Sequence, residues 1–155
     1  MVLTIHDAFR AARKDFDIFS HQFAHEKPCS LHSEEDAKRV HSRYLHGMVR
    51  YLTVFAREIP QFTQLSMESQ RLMIKSSILE TAIIHSIAHT EKQNGEWIDT
   101  KMKFIMDLEE TDTNKASGAL GKVFNEMQSV ISKIKSLNLT EVELSIISAM
   151  LLFCP

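Results

Sequence analysis

Between residues 78 and 88 the chain carries Ile78, Leu79, Ala82, Ile83, Ile84, Ile87 and Ala88. A helix through this stretch is apolar on nearly every side. A helix without a solvent face belongs in the middle of a fold, with other helices on both sides of it. That requirement points to a layered helical domain rather than a simple bundle. The segment is too short to cross a bilayer, and no uninterrupted apolar run in the chain approaches ~20 residues.

The flanking segments supply such helices. Ile5, Ala8, Phe9, Ala12, Phe16, Phe19 and Phe23 recur in three- and four-residue steps, which predicts an amphipathic helix over residues 2–26, ended by Pro28. Residues 28–32 read as a connector. Ser33, followed by Glu34, Glu35 and Asp36, predicts a capped start to a second helix. That helix runs to Ile59, because the residue before Pro60 is pushed out of helical geometry. Its apolar face is Val40, Tyr44, Leu45, Met48, Val49, Leu52, Phe55 and Ile59. Some 25 helical residues span about 37 Å, the breadth of a domain.

Phe62 and Leu65 lie in a short turn, and Ser66 with Glu68 opens the central helix. Asn94-Gly95 is a turn signal, with Trp97, Ile98, Phe104 and Ile105 placed to make a small hairpin over residues 94–106. Residues 107–117 are polar and read as a mobile loop. Leu120, Val123, Phe124, Met127, Val130, Ile131 and Ile134 predict a helix over 119–136. After Leu137-Asn138-Leu139, Thr140 and Glu143 form a capping box for a last helix through Phe153.

Composition excludes several functions. A net charge of −2 gives no case for nucleic-acid contact. Two cysteines, Cys29 and Cys154, make no disulfide framework and fit a reducing compartment. They are too few for a zinc-based DNA-binding module. There is no basic-then-apolar leader at the N-terminus.

One stretch says more. Phe55-Ala56-Arg57, then Pro60, Phe62 and Leu65, then Gln70 and Leu72-x-x-Lys75, resembles the signature of nuclear receptor ligand-binding domains. Lys75 to Glu80 resembles the middle of that family's fused fourth and fifth helices. Trp97 stands where vitamin D receptor-like members carry a tryptophan in a β-turn. Residues 137–143 and 149–155 look like its eighth helix and exit. The pattern is most similar to the vitamin D, bile acid and steroid-sensing branch. It departs at Arg57, usually lysine, at Ser69, usually aspartate, and at Arg71, commonly an apolar cleft residue. The resemblance covers residues 34–155 well and the first helix loosely.

The fold so implied is all-α: a partial three-layer helical sandwich over residues 1–155, incomplete at the C-terminus. By analogy about four further helices lie beyond Pro155, including the main dimerisation helix and the activation helix. The implied function is that of a nuclear, ligand-regulated transcription factor. The resemblance assigns Arg57, Gln70, Ile74 and Lys75 to a groove for a Leu-rich helix of a coactivator or corepressor. It assigns His41, Tyr44, Leu45 and Met48 on the long helix to a pocket for a sterol- or lipid-like molecule. Leu79, Ala82, His85, Ser86 and His89 on the central helix join them on one face, together with Trp97. His85 and His89 would hydrogen-bond a hydroxyl, keto or carboxylate group of the ligand. Glu80 matches an acidic position in receptors that pair with the retinoid X receptor.

Plainer readings stand beside these. Arg57, Arg71 and Lys75 also read as solvated helix-end charges, and the pocket residues as core that fills its own space. His85 and His89, one turn apart, have the spacing of a metal pair, but Glu80 and Glu91 fall off their face. No Gly-rich phosphate loop and no Ser- or Cys-centred motif is present, so catalysis is not expected, and neither is a cofactor. The competing function is an interaction module, or short form, that sequesters coregulators or partner receptors without sensing a ligand.

Overall fold

The structure, a computed structural model, describes residues 2–30, 34–93, 96–106 and 117–154. Six helices and a small sheet follow in the order α1 (Val2–His21), β1 (Cys29–Ser30), α2 (Glu34–Arg57), α3 (Pro60–Thr63), α4 (Met67–Ser86), β2 (Thr90–Gln93), β3 (Glu96–Asp99), β4 (Phe104–Met106), α5 (Ser117–Ser136) and α6 (Glu141–Phe153). The fold is mostly α, as the apolar periodicities require. The expected Ser33 cap, the Asn94-Gly95 turn and the loop at 107–116 lie outside the described residues.

The aromatic stripe of α1 is what joins it to α2. Ala8, Phe9, Ala12 and Phe16 are buried, with Ile5, Phe19 and Phe23 packed at the margin. Phe9 meets Tyr51 and Phe55 edge-on, and Phe16 meets Tyr51 edge-on. Such T-shaped pairs set a positive ring edge against a negative ring face. α1 also packs on α6, while α4 has α2, α5 and α6 as neighbours. The central position expected for α4 is therefore observed. Its coverage is uneven: Ala82, Ile84, His85 and Ser86 are buried, but Leu79 stays 55% exposed.

The helix ends follow their local chemistry. α1 stops at His21, short of residue 26, because the chain unwinds into tight turns with Phe23 N–H on Ser20 O and Ala24 N–H on His21 O. Ile59 takes extended geometry before Pro60, and the expected turn beyond is the single-turn helix α3. Ser66 accepts from Ser69 N–H at the head of α4. At α6 both halves of the capping box form: Glu143 accepts from Thr140 N–H, and Thr140 accepts from Glu143 N–H. Asn138 reaches positive φ (50°), where a short polar side chain is well tolerated, and so breaks the chain between α5 and α6.

The sheet is larger than the hairpin expected over 94–106. Its strand order is β1-β4-β3-β2. β3 pairs antiparallel with both neighbours, Trp97 opposite Lys92 and Met106. The segment read as a connector contributes β1, parallel to β4, with Cys29 opposite Phe104. A strand of two residues is too short to show any periodicity.

Candidate ligand pocket and coregulator groove

Tyr44 is half-buried on α2 and reaches across to α4. Its hydroxyl lies 2.7 Å from Ser86 Oγ and donates to the Ala82 carbonyl at 3.2 Å. Ser86 in turn donates to the same carbonyl, the usual backward bond of a helical serine. Burial pushes the Tyr44 phenol well up from its ordinary value, against the hydrogen bond to Ser86, so the hydroxyl keeps its proton. Phe104 of β4 stands edge-on to the Tyr44 ring. Leu45 and Val49 on α2 are 39% and 44% exposed. On α4, Leu79 falls two turns before Ser86, about 20° away around the helix. His41 is exposed one turn before Tyr44.

Of the other expected pocket residues, Ala82 supplies the carbonyl shared by Tyr44 and Ser86, while the two histidines sit elsewhere. Met48, Ala82, His85 and His89 are all buried. Six residues of helix separate Leu79 from His85, which rotates the histidine about 120° off the leucine's direction. The spacing argument that put both on one face was too generous by that angle. His85 packs instead toward α1 and α2, with ring centroids 4.0 Å from Phe16 and 4.4 Å from Tyr51. His89 stacks on Phe16 at 5.7 Å. Burial holds the His85 imidazole well below its ordinary value, reinforced by electrostatic repulsion from His89, Arg13 and Lys101, so it is neutral near pH 7. Trp97 is half-buried on β3, with the Lys135 ammonium 5.8 Å from its ring centroid. Lys135 also donates to the Thr90 carbonyl. The two histidine rings are 4.5 Å apart, but among the described residues no three metal-ligating side chains gather.

The groove residues flank α3. Arg57 is exposed in the last turn of α2, and Lys75 is exposed two turns into α4. Neither has an ion-pair partner among the described residues. Ile74 is half-buried against the core. Gln70 is already engaged: its amide donates to the Leu65 and Thr63 carbonyls at 2.9 and 3.4 Å. It pins the α3–α4 turn, satisfying carbonyls that a helix end leaves open. Arg57 and Lys75 are thus exposed cations on either side of α3 in the chain. Glu80 lies exposed on α4.

Three structural anchors went unseen in the sequence. Asp99 is 1% exposed, and its Oδ1 accepts from Lys101 and Met102 N–H at 3.0 and 2.7 Å, closing the turn into β4. Arg43 donates to the Met102 carbonyl and to Glu26, with its guanidinium over Phe23 at 3.9 Å. Gly47 lets α1 approach α2. An acidic residue followed by Thr-Lys is a weak turn signal, and an arginine on a helix announces no partner.

The family model for the ligand-binding domain of nuclear hormone receptor matches residues 38–155. The match spans well over half of the chain, and the chain belongs to that family. The family is one of ligand-regulated transcription factors, generally without enzymatic activity. No curated protein matches the sequence.

Proposed function

We propose that this chain is the ligand- and coregulator-binding part of a nuclear transcription factor, binding a lipophilic molecule with a single polar end. The observation that carries the reading is the Tyr44–Ser86 hydroxyl pair bridging α2 and α4, with Leu45 exposed next to Tyr44 in the chain and Leu79 exposed two turns before Ser86. An apolar wall with one convergent polar anchor suits a sterol or a fatty acid. The anchor assigned here is Tyr44–Ser86 rather than His85 and His89, which face the interior. His41, one turn before Tyr44, and Trp97 on β3 stay part of the proposed lining. The vitamin D receptor-like branch remains part of this proposal, as does pairing with the retinoid X receptor through Glu80.

Ligand binding would act by population shift, favouring the state whose groove accepts a Leu-rich helix. Arg57 and Lys75 would hold the carbonyl end of that helix, with Ile74 beneath it. Native mass spectrometry of the purified protein tests the pocket. A bound lipid that is lost on Tyr44→Phe supports it, and a lipid-free protein refutes it. Peptide titration tests the groove: Arg57→Glu or Lys75→Glu weakens a Leu-rich peptide at least tenfold, whereas unchanged affinity removes the assignment.

One observation favours the second reading, a module that engages coregulators without sensing a ligand. Met48, Ala82, His85, Ser86 and His89 are buried, the two histidines against Phe16 of α1, so half of the expected pocket lining fills its own space. That reading predicts peptide binding by protein that carries no lipid.

A further inference from the structure

Where α4 ends against the sheet, four buried polar atoms on four segments have no hydrogen-bond partner: Tyr51 Oη, His85 Nδ1, His89 Nε2 and Asp99 Oδ2. His85 is enclosed by Phe16 of α1, Tyr51 of α2 and His89 just beyond its own helix. Asp99 closes the far side. Its Oδ2 lies 3.3 Å from His89 Nε2, near enough to attract but off the line of a hydrogen bond. The backbone completes the corner, with Thr100 N–H and Oγ–H both donating to the His89 carbonyl at 3.0 and 2.9 Å. Lys103 N–H then donates to the Asp99 carbonyl at 2.9 Å.

We propose that His85, His89 and Asp99 form a proton-operated joint, which seats the β3–β4 turn on the end of α4 while His85 is neutral and loosens it when His85 takes up a proton. The ligand and groove readings make no use of these groups, and the joint does not depend on them.

The argument is one of what a charged His85 would meet. It would meet the repulsion of Arg13 on α1 and of Lys101 in the β3–β4 turn, the latter paired with Asp17 at 2.9 Å, and from α2 the uncharged phenol of Tyr51. His89 stands between it and Asp99. Glu141 of α6 is already taken by Arg13 at 3.2 Å. No acceptor is offered to Nδ1, and a buried charge without an acceptor is costly. The ring can be charged only by leaving its aromatic enclosure. His89 stacks on the same Phe16 ring and carries the carbonyl that holds Thr100, so its seat loosens with that of His85. The open form takes up one proton that the closed form refuses. Opening should therefore rise about tenfold for each pH unit below the ordinary histidine range near ~6.5.

Amide hydrogen exchange on the intact chain reads this directly. The Thr100 and Lys103 amides report the joint, once rates are corrected for intrinsic pH dependence. Between about pH 6 and about pH 5 their opening constants should rise about tenfold in the wild type and stay level in His85→Phe, which keeps the aromatic packing. A rise of the same size in His85→Phe overturns the proposal, because the proton then binds elsewhere. If that variant fails to fold, the wild-type slope decides alone. Flat opening constants at Thr100 and Lys103 refute the joint, and a tenfold slope confined to those amides supports it.

Discussion

Gly47 carries a prediction that runs against its helix propensity. It lies in the middle of α2, where glycine costs about 1 kcal/mol relative to alanine. By propensity alone Gly47→Ala should stabilise. A Cβ at that position, however, would meet Phe16 Cε2 at 2.9 Å, Met102 Cε at 3.0 Å and Phe19 Cε1 at 3.0 Å. Met102 ends in a flexible methyl and can turn aside. Phe16 cannot, since it is 1% exposed and wedged among Phe19, Tyr51 and His85. The remaining escape is for α1 to retreat from α2, at the expense of the core. Overpacking of this kind costs about 1–3 kcal/mol, against a gain of about 1 from propensity. The net expectation is a loss of about 1 kcal/mol, which lowers Tm by about 2–4 °C at this chain length. Thermal and urea unfolding followed by far-UV circular dichroism measure it. Phe19 is only half-buried, so Phe19→Leu should make room and reduce the penalty of Gly47→Ala in the double variant. A higher Tm for Gly47→Ala, or strict additivity with Phe19→Leu, would refute the close-approach argument.

Other expectations follow from single contacts. Thr140→Ala removes the N-cap of α6 and should cost about 1 kcal/mol in urea unfolding, with Thr140→Ser restoring most of it. Tyr44→Phe removes one hydroxyl but leaves Ser86 bonded to the Ala82 carbonyl, so stability should fall by only about 1 kcal/mol while retention of a polar lipid is lost. Asp15 is held below its ordinary value chiefly by the hydrogen bond from Arg50, at 2.6 and 2.8 Å across α1 and α2. A depressed carboxyl contributes stability above its unfolded value, lost as pH falls through the folded one. Arg50→Gln should therefore lower stability modestly at neutral pH, flatten the acid limb below about pH 4 and change little at the acid end. An unchanged acid limb would show that the pair is not formed in solution.

How much of this was legible in the sequence depended on the length over which each signal repeats. α1, α2 and α5 repeat their apolar residues over five turns or more, α4 shows as an all-round apolar run and α6 follows its capping box, so all five could be read directly, with errors only at their ends. The caps at Ser66 and Thr140 are local chemistry and were read correctly for the same reason. β1 spans two residues and repeats nothing. Gly47 looks like a weak point in α2 until Phe16 and Phe19 are seen above it. The site residues show a sharper limit. A helix apolar on all sides, as α4 is from Ile78 onward, has no amphipathic stripe, and without a stripe the sequence cannot say which neighbour a given side chain faces. Leu79 and His85 were grouped for that reason, yet about 120° of helix separates them. One is left facing solvent, and the other is enclosed by Phe16 and Tyr51. The same all-round apolar character that made the central position of α4 readable therefore hid how its faces divide. One face leaves Leu79 exposed, and the other holds a neutral histidine against the rings of Phe16 and Tyr51.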